Sequence, residues 1–138
     1  MKRLNHLAVL VAVIVHQVVG TLWYSRFAFV PARLVALGRP ASDADVVDPA
    51  ALGSDVVTWV IATYAMAWLA HRTGATTARK GAALGALLWL VEIPALAPKL
   101  AFAGISPIVT GIDLGNLLLA TLLNCTILGA WQKKGTTA

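Results

Sequence analysis

Three side chains suited to proton transfer or ligand binding lie inside long apolar runs: His16, Glu92 and Asp113. A charge at the centre of a hydrophobic span costs at least about 2.5–3.5 kcal/mol, so each is by default a functional candidate. A carboxyl in an apolar setting holds its proton and serves as an acid. A second carboxylate or a histidine serves as the base. Glu92, Asp113 and His16 supply that set as candidate catalytic residues. Residues near them are candidates for touching a bound molecule: Gln17 beside His16, Trp23 further along the same run, Tyr64, Trp89 and Asn116.

Each of these has a plainer reading. His16 can bond a carbonyl of a neighbouring helix. Glu92 can be a protonated core carboxyl or half of a structural pair with His16. Asp113 can clamp two helices or lie close to the headgroups. Asn116 and Asn124 suit helix-packing contacts. There is no Gly-rich phosphate loop, paired-cysteine metal site, His pair at i, i+4 or serine nucleophile elbow. The single cysteine, Cys125, has no partner at ligand spacing and reads as a small packing residue. Neither a metal nor a cofactor is expected, although His16, Glu92 and Asp113 together form a conceivable metal set.

The elements that must position these groups follow from composition. Of 138 residues, 59% are hydrophobic and 12% charged. Soluble domains run nearer 45–50% and about 25%. A chain this short cannot hide that apolar surface in one soluble core, whereas a bilayer acts as its solvent. The formal net charge is +5. Its basic residues flank apolar runs and form no patch interleaved with aromatics, so nucleic acid is not an expected partner.

Four runs approach the roughly 20 apolar residues that a span requires: about 6–25, 54–71, 81–98 and 107–131. The first is basic and then apolar, like a signal peptide. It is long, holds His16 and Gln17, and ends in Trp23-Tyr24 with no small-residue cleavage site, so it reads as a span. Ser54-Asp55 reads as the N-cap of the second, and Pro94 and Pro98 as kinks in the third just beyond Glu92. Loop 26–53 opens with an apolar stretch, 27–37, carrying Arg33, which predicts an interfacial helix. Its second part, with Asp43, Asp45 and Asp48, predicts a polar surface loop. The sequence thus predicts one all-α integral membrane domain: four transmembrane helices in a compact antiparallel bundle, with a short interfacial helix in the first loop. Seven basic residues (Lys2, Arg3, Arg72, Arg79, Lys80, Lys133, Lys134) fall on the face of the chain ends and four (Arg26, Arg33, Arg39, Lys99) on the other. That bias predicts a cytoplasmic membrane with both ends inside. Trp23, Tyr24 and Trp59 fall at the outer interface, Trp68 and Trp131 at the inner one.

At a rise of 1.5 Å per residue, His16 and Glu92 lie roughly 16–18 Å from the cytoplasmic end, and Asn116 and Asp113 roughly 22–27 Å. If those helix faces converge, they make one polar site in the outer half of the membrane, bordered by Thr63 and Tyr64. Gly81-x-x-x-Gly85 and Gly111-x-x-x-Gly115 permit close helix approach, either within the chain or across a homodimer seam.

Two segments carry a family resemblance. Leu7-Ala8-Val9-Leu10-Val11-Ala12 with Gly20-Thr21-Leu22-Trp23-Tyr24-Ser25, and Ile112-Asp113 with Ile127-Leu128-Gly129-Ala130-Trp131, resemble the opening and last helix of the domain-of-unknown-function family 1761. Its members are small bacterial four-helix membrane proteins. The resemblance implies the architecture and no activity. His16-Gln17 and Glu92 depart from the apolar residues of that pattern.

Two classes of function fit. One is a polar site that binds or processes a lipophilic molecule in the bilayer, by acid/base chemistry such as isomerisation, epoxide opening or cyclisation. The other is a proton-linked carrier or channel acting as a homo-oligomer, or a non-catalytic accessory subunit.

Overall fold

A computed structural model of the chain describes residues 4–45 and 48–132. Lys2, Arg3, Lys133 and Lys134, which weigh in the charge bias, lie outside the described residues. Five α-helices follow in order: α1 (His6–Trp23), α2 (Val30–Ala36), α3 (Pro49–Arg72), α4 (Ala78–Phe102) and α5 (Pro107–Ala130). A short 3-10 turn, Ala41–Asp45, separates α2 from α3. Helices α1, α3, α4 and α5 are long and apolar enough to cross a membrane. They alternate in direction. One end of the bundle carries residues 24–45 and is called the loop end. The other, where α1 starts and α5 finishes, is called the terminal end.

Each long helix starts on a side-chain cap. Asn5, Asp48, Thr77 and Ser106 accept from the backbone N–H of Ala8, Ala50, Lys80 and Ile108, satisfying donors that the first turn leaves free. This corrects the start of the second span. Its cap is Asp48 with Pro49 behind it, the favoured place for proline, and Ser54-Asp55 lie within the helix. The 24 residues of α3 reach about 36 Å, ample for a hydrocarbon core of about 30 Å. Trp59 accordingly lies about 15 Å along α3 rather than at its end. Helix α4 runs unbroken through Pro94 and Pro98.

Helix α5 is central and packs against α1, α3 and α4. Helices α1 and α3 also pack on each other, while α4 rests mainly on α5. The α4–α5 seam is made by small residues. A Cβ on Gly81 or Gly85 would strike the backbone carbonyl of Cys125 or Thr121, and one on Gly129 would come 2.6 Å from the Thr77 carbonyl oxygen. The Gly81-x-x-x-Gly85 motif is therefore consumed inside the protomer. The apolar core, Ala8, Val9, Ala12, Met66, Ala67, Ala70, Ala75, Leu84, Cys125 and Leu128, fills the terminal half. The polar clusters lie towards the loop end.

Candidate functional site

Asp113 sits two turns into α5, where the end of α1 and the interfacial helix α2 meet it. The Tyr24 hydroxyl donates to its Oδ1 at 2.9 Å. Arg33 Nε donates to the same oxygen at 3.2 Å, and a guanidinium nitrogen donates to Oδ2 at 3.5 Å. That guanidinium also lies 5.8 Å from the centre of the Tyr24 ring. One residue back on each helix, Trp23 Nε1 donates to the Ile112 carbonyl at 3.2 Å, and its ring packs on Phe29 at 4.3 Å. Gly115 makes room for the indole, because a Cβ there would stand 3.1 Å from it. Arg33 thus leaves the interfacial helix to pair with a carboxylate of the bundle, and a charged pair of this geometry is strengthened where water is scarce. The pair is not sealed: Asp113 is 24% exposed and Arg33 34%.

Asn116 lies one turn deeper than Asp113, and its amide bears on the Tyr24 hydroxyl. Its Oδ1 is buried and has no partner. Burial and the neighbouring Asp113 carboxylate push the Tyr24 hydroxyl above its ordinary 10.0, because both disfavour a phenolate.

His16 belongs to a second cluster, between α1 and α3. It is 3% exposed, and its Nε2 stands 3.7 Å from Asp55 Oδ2. Its ring stacks on Trp59 with centroids 3.7 Å apart. Gln17 Nε2 donates to the same Asp55 oxygen at 3.0 Å. The His16 Nδ1 is buried without a partner, so one ring nitrogen faces a half-exposed carboxylate and the other faces protein.

The remaining candidates lie apart. Glu92 is exposed on α4 and pairs with neither His16 nor Asp113. His16, Glu92 and Asp113 therefore do not gather round one lumen, and the carboxylate beside His16 is Asp55. The reason lies in the packing: α4 rests on α5 rather than on α1, and none of its residues beyond Gly85 is buried. Among the described residues no group of three His, Cys, Asp or Glu is placed to hold a metal. Trp89 ties α4 to α5 by donating to the Leu114 carbonyl at 2.9 Å. Tyr64 points towards the terminal end, its hydroxyl 3.1 Å from His6 Nδ1, and so does not border the Asp113 cluster. Thr63 accepts a buried hydrogen bond from Asn124 Nδ2 at 3.2 Å, joining α3 to α5.

Tyr24, Arg33 and Asp55 are the residues that sequence reasoning undervalued. Tyr24 reads as a belt aromatic, Arg33 as an interfacial charge and Asp55 as a cap. The signal for Asp55 was present in Asp48-Pro49, which starts α3 early enough to carry Asp55 down to the level of Gln17. Chemically, the Asp113 cluster offers a carboxylate, a phenol, a guanidinium and an unfilled amide oxygen at the edge of the apolar zone.

No curated protein and no solved structure matches the chain. One family model does, over residues 7–129, from the first turn of α1 to the last of α5. The chain therefore belongs to the family described as Protein of unknown function (DUF1761).

Proposed function

We propose that the protein binds an amphiphilic molecule at its loop end, with the polar head among Asp113, Arg33, Tyr24 and Asn116 and the apolar part in the bilayer. The single observation behind this reading is the Asn116 Oδ1. It is buried and unpartnered beside groups that are otherwise hydrogen-bonded, and such an acceptor is costly unless filled. An acceptor calls for a donor, and the Arg33 guanidinium is already paired with the Asp113 carboxylate, which leaves the cluster no unpaired cation for an anionic head. The head is therefore a hydroxyl, an amide or an amine rather than a carboxylate or a phosphate. The Tyr24–Asp113 pair is the place for acid/base chemistry on such a head. The loop end faces away from the cytoplasm in this reading, in keeping with the basic residues at the terminal end, and the membrane is the inner, cytoplasmic one.

Photolabelling in native membranes tests this with two probes, a long-chain alcohol and a long-chain carboxylate, each bearing a diazirine. The alcohol is expected to label peptides containing Tyr24, Arg33 or Asn116 more than the carboxylate does, and Asn116→Leu is expected to abolish the difference. Equal labelling by both probes, or labelling untouched by Asn116→Leu, overturns the reading.

A further inference from the structure

Asp55 brings a carboxylate into the bundle with no fixed cation to meet it. It lies about 9 Å along α3 from Pro49. Among the described residues its side-chain partners are Gln17, a neutral donor, and His16. A carboxylate within a span is costly unless paired, and of these two partners His16 alone can become a cation.

His16 is unmatched on its other side. The two ring nitrogens of an imidazole point nearly opposite ways, so with Nε2 towards Asp55 the Nδ1 points away from it, towards the terminal end. What lies in that direction follows from α3. Asp55, Trp59 and Thr63 stand at i, i+4 and i+8 on one face of the helix. The His16 ring stacks on the second of them, and the Asn124 amide bonds the third. His16 from α1 and Asn124 from α5 thus approach one stripe of α3 a single turn apart, about 6 Å. His16 Nδ1 and Asn124 Oδ1 are both buried and both unpartnered. A neutral imidazole that keeps its proton on Nε2, beside the carboxylate, offers Nδ1 as an acceptor. The Asn124 Oδ1 is an acceptor too, and two acceptors cannot bond each other.

One proton removes both mismatches. With it the imidazole has an N–H at each end, one for the Asp55 carboxylate and one for the Asn124 oxygen. Asp55 is half-exposed and gives the site its opening. Further along the same stripe Ala67 and Ala70 are buried in the apolar core, so the polar run ends there. The other ionisable groups on the packed helices are engaged elsewhere or are not charged. On α5, Asp113 pairs with Arg33 and bonds Tyr24, eight residues or about 12 Å beyond His16 along α1, and Cys125 is a buried thiol. On α3, Tyr64 bonds His6, which lies about 15 Å back along α1.

We propose that His16, Asp55 and Asn124 form a proton-binding site, reached from the loop end past Asp55, in which the protonated imidazole bridges the carboxylate and the amide. The site is separate from the Asp113 cluster and does not depend on binding there. A proton held in it ties α1 to both α3 and α5.

Trp59 reports on the site, because an imidazolium stacked on an indole quenches its emission. The protein in lipid nanodiscs is titrated from pH 9 to pH 4, following the part of the tryptophan emission that Trp59→Phe removes. That part is expected to fall in one step on acidification, and His16→Gln is expected to abolish the step. Asp55→Asn, at an exposed position, is expected to lower the midpoint by about one pH unit or more, the effect of an opposite charge at this range. Asn124→Leu is expected to lower it by about half a unit, the effect of one hydrogen bond between spanning helices. Nitrogen-15 NMR of the unsubstituted chain, labelled at its three histidines, needs no variant and is expected to show one imidazole titrating at the same midpoint. Three results would each overturn the proposal. One is a flat Trp59 emission, which a water donating to both acceptors would give. The second is a step that survives His16→Gln, and the third a midpoint unmoved by Asp55→Asn or by Asn124→Leu.

Discussion

Replacing Gly85 by alanine adds one methyl group to the α4–α5 seam, and the atoms it meets are all backbone. Besides the Thr121 carbonyl oxygen, the new Cβ would come within 2.8 Å of the Thr121 carbonyl carbon and 2.9 Å of the Leu122 Cα. No rotamer change relieves such contacts, so the helices must part by roughly 0.5–1 Å. A gap of that size forfeits a quarter to a half of the dispersion well for each atom pair along the seam. Overpacking of this kind costs about 1–3 kcal/mol. Alanine recovers about 0.5–1 kcal/mol through its better helix propensity, leaving a net loss of about 0.5–2 kcal/mol. Gly111 provides the control, because a Cβ there meets nothing within 4 Å, and Gly111→Ala is expected to be neutral or stabilising by up to about 1 kcal/mol. The assay is reversible unfolding in mixed micelles with increasing dodecyl sulfate, followed by circular dichroism. If Gly85→Ala and Gly111→Ala unfold at the same detergent fraction, the seam is not the close contact described and the reasoning fails.

Two further perturbations address the polar contacts. Thr63→Val keeps the shape of the side chain but removes the acceptor for Asn124. Hydrogen bonds between spanning helices average about 0.6 kcal/mol and reach about 1.7, so a loss in that range is expected in the same unfolding assay, and no loss would show the bond to be idle. For Tyr24, burial and then Asp113 hold the hydroxyl above its ordinary 10.0, so the native state keeps a proton that the unfolded chain releases. That contribution to stability is complete below pH 10 and declines as pH rises beyond it. Tyr24→Phe should flatten this alkaline decline, measured as unfolding free energy on either side of pH 10, and an unchanged slope would refute the assignment.

The architecture was legible because a bilayer leaves few alternatives. Apolar runs of the required length become helices, since every backbone group must be satisfied within the segment. Their starts were less legible where two caps compete: Ser54-Asp55 and Asp48-Pro49 both have the chemistry of a helix beginning, and only the packing of Asp55 against Gln17 decides between them. His16 and Asp113 stand out in the sequence by residue type, and both turn out to be engaged with side chains from other elements. Their partners were not legible, because Asp55 and Arg33 come from segments whose position depends on how α2 and α3 return to the bundle. Glu92 was misplaced for a related reason. Spacing gives the depth of a residue and puts Glu92, seven residues on from Gly85, on the side of α4 that packs on α5, but the close approach ends at Gly85 and Glu92 beyond it is exposed.

The two halves of the bundle differ in what holds them together. In the terminal half, small residues let backbones touch, and Ala8, Ala12, Ala67, Ala70 and Cys125 pack in one buried cluster. In the loop half, contact is made through long polar side chains: Arg33 with Asp113, Gln17 with Asp55, and the indoles of Trp23 and Trp89 on carbonyls of α5. Side-chain bridges tolerate a shift in helix position that touching glycine backbones do not. The loop half is accordingly the part able to adjust to a bound molecule, with the terminal half as its fixed base. Two of the buried unpartnered atoms, the Asn116 Oδ1 and the His16 Nδ1, lie in that adjustable half. A polar group left unfilled where the structure can yield costs stability. In a family of this architecture, that is where a function is to be sought.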